Sequence, residues 1–340
     1  MIDPHVHLRD WNQHHKETIS HGLSVACRAG LDAVFEMPNT DPPIISTKLA
    51  EARIALADAA GVPVFHGLFT GLTAEPDQVR EMVTAYQRLF PRIVGLKLFA
   101  GRSTGNLSVI DETEQQLVWQ TLADAGYRGV VAVHCEKEAL FQPRLWDPQQ
   151  LQTHCLARPP ASETVSVRDM LRQAAAAGFK GTLHVCHVSV PETVRVIEQH
   201  RAQAGFRITC GITPHHALLC SADMQQSAWL KLNPPLREAG LQQELLQQLL
   251  QGRIDWIETD HAPHALSDKP LASGIPGLPF LPRFIRQLRK MGMASALLEK
   301  ATHNNICEVF GIEIRHTNRE PVYDLAAEYP FDPFSIRSPD

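Results

Sequence analysis

Short apolar segments alternate with amphipathic segments along almost the whole of this 340-residue chain. Eight of the apolar segments are rich in β-branched residues, as in strands that are buried on both faces of a parallel sheet. They lie near 1–8, 32–38, 62–69, 93–99, 129–135, 182–188, 206–213 and 254–260. Helix-like segments follow at 15–29, 46–60, 75–89, 111–125, 161–177, 191–204, 239–251 and 281–310. Eight such pairs predict an α/β fold, a (β/α)8 TIM barrel.

Two segments interrupt the alternation. Residues 138–160 form a proline-containing insertion after the fifth strand, and residues 311–340 form a polar tail without clear periodicity. We therefore expect a barrel over 1–310 and a short C-terminal extension over 311–340, packed on the barrel or partly loose. A doubly wound open sheet is the alternative, but no G-x-G-x-x-G turn follows the first strand.

Net charge and composition limit the kinds of molecule that this chain is expected to bind. The formal charge of -5 comes without any basic run, which argues against a nucleic-acid or anionic-membrane surface. No stretch reaches the length of a membrane span, so we expect a small-molecule partner and leave a homodimer open. Seven scattered cysteines without a C-x-x-C pair, and a histidine motif too early to follow a signal peptide, indicate a reduced cytoplasmic protein. Histidine is abundant, with 17 residues against 4 Tyr and 5 Trp.

The first strand carries His5, His7 and Arg9 at alternate positions, so an extended backbone projects all three from one face. Neutral imidazoles suit zinc, whereas an arginine beside them suits an anionic substrate. Polar residues also stand at or near the ends of other predicted strands, where a TIM barrel places its active site. They are Asn39, Lys97, His134, His187, Asp260 and, just beyond the eighth strand, His264.

Lys97 lies in the apolar segment VGLKLF, and burial of this kind disfavours a charged ammonium. A neutral amine can take up carbon dioxide as a carbamate, which is a carboxylate able to bridge two metal ions. A lysine that extends to the rim of the barrel is the ordinary alternative. The surrounding histidines and Asp260 favour the bridge.

These residues provide ligands for two metal ions. We predict that His5, His7 and Asp260 bind one ion and that His134 and His187 bind the second. Carboxylated Lys97 and a hydroxide would bridge two Zn²⁺ ions, although cobalt, manganese or nickel could replace zinc. Such a pair activates water for attack on an amide-like carbon, and Asp260 could also transfer the proton.

Taken in order, the motifs resemble those of the amidohydrolase superfamily and, within it, the dihydroorotase family. The resemblance is carried by DPHVHLRD at 3–10, HKETISHG at 15–22, FEMPNTDPPI at 35–44, GLKLF at 95–99, VHCE at 133–136, HVCHVS at 184–189, TPHH at 213–216, KLNPPLR at 231–237 and TDHAPH at 259–264. It covers most of the chain up to about residue 280 and implies reversible cyclisation of N-carbamoyl-L-aspartate to L-dihydroorotate in pyrimidine synthesis.

The resemblance also implies residues that bind the substrate. Arg9, Asn39, Asn233 and His264 match positions that bind its α-carboxylate and ring, and backbone groups near Ser273 and Gly274 complete the pocket. A bidentate arginine recognises a carboxylate, which hydantoin-type substrates lack. The rival functions are another cyclic amidohydrolase, such as an allantoinase or a dihydropyrimidinase (hydantoinase), and a catalytically silent relative that binds a partner. The complete set of predicted ligands argues against the silent relative.

The chain departs from the family pattern at several points. Only two residues precede Asp3, so we expect the β-sandwich of many relatives to be absent or reduced, and HLRDWNQ replaces the usual HLREPG. The loop at 101–106 could act as a lid or be a plain turn. We assign His215, His216 and His261 to roles that support the metal ligands or the structure, rather than to direct metal binding. Strand alternation predicts that Cys135 and Cys186 face away from the site.

Overall fold

A computed structural model describes residues 1–103, 105–227 and 229–335. Eight parallel strands follow one another around a single sheet in chain order. They are β1 (Ile2–Val6), β2 (Ala33–Glu36), β3 (Phe65–Gly71), β4 (Ile93–Ala100), β5 (Val130–Cys135), β6 (Thr182–Val185), β7 (Arg207–Ile212) and β8 (Trp256–Ile257). The TIM-barrel prediction is confirmed.

The last strand is shorter than predicted, and the barrel closes just beyond it. β8 pairs with β7 over two residues, Trp256 and Ile257. The His7 N–H then donates to the His261 carbonyl oxygen at 2.7 Å, which joins the segment after β8 to the first strand. The site residues that follow β8 therefore lie on irregular backbone at the closing seam.

Helices pack around the sheet, most of them on its outer face and the last at its N-terminal end. They are α1 (Ile19–Arg28), α2 (Thr47–Ala59), α3 (Pro76–Leu89), α4 (Glu112–Asp124), α5 (Thr153–Ala157), α6 (Pro160–Ala176), α7 (Pro191–Arg201), α8 (Pro214–Leu218), α9 (Ala239–Leu250), α10 (Leu281–Lys290), α11 (Ser295–Glu299) and α12 (Asn305–Phe310). The segment predicted as one helix over 281–310 is thus three helices, and a π-helical turn at Lys300–Asn304 joins the last two. Asp111 caps α4 by accepting from the Thr113 and Glu114 N–H groups.

Two of the three apolar clusters among the described residues hold the sheet and its helices together. One fills the space between the outer face of the sheet and the helices. The other fills the N-terminal end of the barrel, where Phe310 of α12 packs with ring centroids 5.0 Å from Phe35 and 5.9 Å from both Phe69 and Trp256. Because that end is filled with hydrocarbon, polar chemistry is confined to the opposite, C-terminal end.

The described part of the C-terminal extension packs on the barrel. The Val322 N–H donates to the Arg28 carbonyl oxygen at 2.8 Å, Arg319 Nη1 donates to that of Leu31 at 2.9 Å, and Tyr329 is buried. Residues 336–340 of the predicted tail lie outside the described residues, and the division into domains stays a prediction. Among the described helices, none is long and apolar enough to cross a membrane.

Candidate metal centre and substrate pocket

His5 and His7 project into the barrel because β1 is extended, while Val6 and Leu8 join the outer apolar layer. Oδ1 of Asp260 lies 2.9 Å from His7 Nε2 and 3.3 Å from His5 Nε2. The two imidazoles and the carboxylate therefore converge at one point, as the sequence predicts.

His134 and His187 approach from the opposite side of the barrel. His134 Nδ1 lies 3.3 Å from His187 Nε2, and the His187 ring centroid is 5.2 Å from that of His5. His187 follows β6 with φ +38°, a left-handed conformation that a regular strand does not contain. This backbone turn points the imidazole of His187 towards the other histidines.

The same turn makes the prediction for Cys186 wrong. Cys186 Sγ accepts a hydrogen bond from Lys97 Nζ at 3.0 Å and lies among potential ligand atoms of His5 and His187. Cys186 keeps the inward direction set by the strand, and the left-handed backbone then adds His187 to the same side. Burial would raise the pKa of Cys186, but the Lys97 ammonium lowers it to about 5. Cys135 lies in the outer layer, as expected.

The chemistry of this cluster fits divalent metal ions. Burial lowers the pKa of His7 to about 4 and that of His187 well below its usual value, so both imidazoles are neutral and carry a free lone pair. Burial would raise the pKa of Asp260, but the hydrogen bond from His7 and the neighbouring histidines hold it well below its ordinary value. Among the described residues, the Nδ1 atoms of His7 and His187 have no hydrogen-bond partner, whereas that of His5 faces Glu258 Oε1 at 3.7 Å. Burial and Lys97 would lower the pKa of His5, but Cys186 and Glu258 raise it to about 10, so a metal ion at His5 would displace a proton. The neutral imidazoles of His7 and His187 beside the Asp260 carboxylate are ligands that zinc prefers.

A narrow pocket opens beside Asp260. It is lined by most of the residues predicted to bind substrate and by two others, Ser103 from the loop that the sequence offers as a lid and Ala262, which the sequence did not suggest. The lining comprises His7, Arg9, Asn39, Ser103, Asn233, Asp260, Ala262, Ser273 and Gly274. His264 lies directly behind it, where Arg9 Nη2 donates to His264 Nε2 at 3.2 Å.

Arg9 is the buried cation of the pocket, with only 1% of its surface exposed. Its Nε donates to the Pro263 carbonyl oxygen at 3.1 Å. Within the described residues its Nη1 makes no hydrogen bond. The backbone of the first loop is strained here, since Arg9, Asp10 and Trp11 all have positive φ. Arg53, itself paired with Glu36, donates to the Arg9 carbonyl oxygen at 2.8 Å and fixes this unusual backbone.

The rim of the pocket carries two further cations, which sequence analysis did not single out. Lys231 Nζ donates to Ser273 Oγ at 3.2 Å, and Lys269 Nζ donates to the Ala272 carbonyl oxygen at 3.0 Å. Burial lowers the pKa of Lys231 to about 8 and that of Lys269 to about 7. Their sequence signal is weak, because isolated lysines in loops are usually solvated.

The insertion at 138–160 contributes support rather than ligands. His154 of α5 places Nε2 3.0 Å from Asn233 Oδ1, which fixes the side chain of a predicted substrate-binding residue. Loop 101–106 approaches the pocket through Ser103, whereas Thr104 lies outside the described residues. A lid at this loop stays a prediction.

The remaining histidines near the site divide into two groups. His216 and His261 have buried partners: His216 Nδ1 lies 2.9 Å from Thr213 Oγ1, and His261 Nε2 lies 3.1 Å from a carboxylate oxygen of Glu17. His215 is fully buried, and neither of its ring nitrogens has a hydrogen-bond partner among the described residues. Its structural role therefore stays a prediction.

Glu258, fully buried beneath the cluster, was also missed by sequence analysis. The signal was present, because Glu258 and Asp260 are two positions apart in IETD and strand alternation predicts that they share a face.

Comparison with known proteins agrees with the resemblance that the sequence motifs indicate. No protein-family model matches the chain. The chain is 31% identical over 324 residues to a dihydroorotase of Thermococcus kodakarensis, covering 93% of this chain and 69% of that protein. It is also 31% identical over 350 residues to a dihydroorotase of Halobacterium salinarum, covering 100% of this chain and 78% of that protein.

A solved L-hydantoinase (dihydropyrimidinase) from Arthrobacter aurescens superposes with a TM-score of 0.78 at 24% identity, covering 91% of this chain and 70% of that one. That likeness supports the barrel fold alone. The two sequence matches extend over more than two thirds of proteins that carry one name, so the chain belongs to the dihydroorotase family.

Proposed function

We propose that the protein interconverts N-carbamoyl-L-aspartate and L-dihydroorotate, as a cytoplasmic enzyme of pyrimidine synthesis. The observation that carries the proposal is the position of Arg9, a buried guanidinium in the same narrow pocket as Asp260. A buried cation needs an anionic partner, and a carboxylate matches its bidentate geometry. Dihydroorotate carries such a carboxylate on a ring carbon that a methylene group separates from the carbonyl carbon of the cleaved amide.

The histidine cluster supports a binuclear metal centre. His5, His7 and Asp260 would bind one divalent cation, and His134 and His187 would bind the second. Lys97, carboxylated at Nζ, would join the two, with zinc as the expected metal. When bound, such cations lower the pKa of a water molecule and polarise the carbonyl group that it attacks.

Asp260 would act as the proton carrier in both directions. In hydrolysis its carboxylate takes a proton from the attacking water while oxygen bonds to the ring carbonyl carbon. The C–N bond then breaks, and Asp260 returns the proton to the departing nitrogen. Ring closure follows the reverse order and releases water. The low pKa of Asp260 keeps its carboxylate ionised and ready to accept the first proton.

Arg9 would hold the substrate through its α-carboxylate, on the Nη1 side that its protein partners leave accessible. Asn39 and Asn233 line the same pocket as Ser273 and Gly274 and would bind the ring amides. His264, whose pKa burial lowers to about 3, stays neutral and orients Arg9 by accepting from Nη2. These contacts fix the carbonyl carbon beside Asp260 without contributing to the chemical step.

The test is a comparison of purified, metal-loaded protein on three ring substrates: dihydroorotate, hydantoin and allantoin. We expect the highest kcat/KM with dihydroorotate and formation of dihydroorotate from N-carbamoyl-L-aspartate in the reverse assay. A preference for hydantoin or allantoin, which lack the carboxylate, would overturn the proposal in favour of another cyclic amidohydrolase.

A further inference from the structure

Glu258 is a carboxylate beneath the histidine cluster, and the proposed reaction does not use it. It follows β8 directly and is 1% exposed. Its carboxylate accepts from Trp256 Nε1 at 3.0 Å and pairs with His184 Nε2 at 3.1 Å. It also accepts from the backbone N–H of His187, and Oε1 lies 3.7 Å from His5 Nδ1. Two of the predicted metal-binding residues therefore face this one group.

The carboxylate of Glu258 occupies the space in which a side chain at Gly211 would lie. A Cβ atom at Gly211 would lie 2.4 Å from Glu258 Cδ and 2.6 and 2.7 Å from its two oxygens. Real Cβ atoms do not approach other heavy atoms so closely, so no larger residue fits at 211 while Glu258 keeps its position. Gly211 of β7 pairs with Trp256 of β8, two residues before Glu258. The missing side chain of Gly211 therefore leaves room beside the carboxylate.

The two contacts with predicted ligands have different consequences. His5 Nε2 lies 3.3 Å from Asp260 Oδ1, so Nδ1 is the nitrogen that faces Glu258. A carboxylate on that side favours the tautomer with the proton on Nδ1 and leaves the Nε2 lone pair directed at the site. At His187 the accepted N–H supports a backbone whose φ of +38° is otherwise unfavourable.

We propose that Glu258 is a positioning residue of the metal centre, which sets the tautomer of His5 and holds the left-handed backbone of His187. This inference rests on the proposed function, because it presumes that both histidines bind metal. The competing role is structural, in which Glu258 only satisfies the buried donors of His184 and Trp256. The two roles differ in whether loss of the carboxylate weakens metal binding.

The experiment measures how fast zinc-loaded protein loses metal to a chelator, in wild type and three variants. Glu258→Gln removes the charge with little change of shape, and Gly211→Ala displaces the carboxylate without removing it. Trp256→Phe is the matched control, since it deletes one donor to Glu258 and leaves His5 and His187 untouched. Melting temperatures of the metal-free chains report on the fold, and absorption spectra of cobalt-substituted protein report on ligand geometry.

We expect the first two variants to lose zinc about 10- to 100-fold faster, the usual effect of losing a partner of a ligand histidine. Their cobalt spectra should change, while Trp256→Phe retains metal as wild type does. Retention equal to wild type in Glu258→Gln and Gly211→Ala would overturn the inference, even if their melting temperatures fall. A wild-type chain that binds no metal would instead overturn the proposed metal centre itself, so the two failures are distinguishable.

Discussion

Replacement of Arg9 by methionine tests substrate recognition with little disturbance of the surrounding fold. The side chain of methionine fills much of the same volume but has no charge or N–H donor. The left-handed backbone at position 9 stays supported, because the Arg53 contact is with the carbonyl oxygen of residue 9. Within the described residues, the guanidinium of Arg9 donates to Pro263 and His264 and to no predicted metal ligand. Its loss should therefore leave the metal cluster intact.

The size of the effect follows from the donors of Arg9. Nε and one Nη2 hydrogen are engaged by Pro263 and His264, so Nη1 and the second Nη2 hydrogen can form a bidentate pair with a carboxylate. Two hydrogen bonds to a charged group contribute about 1.5–3 kcal/mol each. Their loss corresponds to a decrease in kcat/KM for dihydroorotate of about 10²- to 10⁴-fold.

Steady-state kinetics with dihydroorotate and with an uncharged ring, together with zinc analysis of each preparation, measures this effect. Arg80→Met is the matched control, because Arg80 is an exposed arginine of α3 that pairs with Asp77. We expect normal zinc content in both variants and a selective loss for the charged substrate in Arg9→Met. An equal loss on both substrates, or a loss of zinc, would refute the assignment of Arg9 to the substrate carboxylate.

Three further outcomes test the cluster and its supports. Lys97→Ala should lose zinc and activity together, with partial recovery in short carboxylic acids, whereas Lys48→Ala, at an exposed position of α2, should behave as wild type; full activity without such acids would exclude the carbamate. Tyr329→Phe should lower the free energy of unfolding in urea by about 2 kcal/mol, because its hydroxyl donates to buried Glu17 at 2.6 Å, and Tyr323→Phe should not. Burial would raise the pKa of Glu17, but its imidazole and hydroxyl partners lower it to about 2. The wild type should therefore have a higher free energy of unfolding than Glu17→Gln above about pH 4.5. This difference should disappear as the pH falls towards 2, because the carboxylate is then protonated in both the folded and the unfolded chain. A difference that does not change with pH would contradict the ionised carboxylate.

Most of the barrel and the main cluster could be predicted because both depend on local periodicity. Alternation along β1 is enough to place His5 and His7 on one face, and the same reasoning places His134 on β5. Side chains from distant strands then meet at one end, since parallel strands of a closed sheet end at the same rim.

The errors arise where tertiary contacts override that periodicity. Cys186 continues the inward alternation of β6, and the left-handed backbone of His187, supported by Glu258, turns the next side chain to the same face, which strand alternation does not predict. The burial of Tyr329 against Glu17 joins positions 312 residues apart, and no local pattern reports such a contact. The break in the helix predicted over 281–310 is different, because α10 ends just before Gly292, whose φ of +90° is a glycine stop signal that the sequence itself carries.

The left-handed conformations of Arg9, His187 and Asp260 have a consequence for the evolution of this chain. Each costs about 1–3 kcal/mol relative to a relaxed backbone, and glycine would remove that cost along with the side chain. Selection for thermal stability alone would therefore favour glycine at these positions and yield thermostable but inactive variants. A thermostable enzyme from this scaffold has to gain its tolerance in the outer helices, with turnover retained as a second criterion at every round.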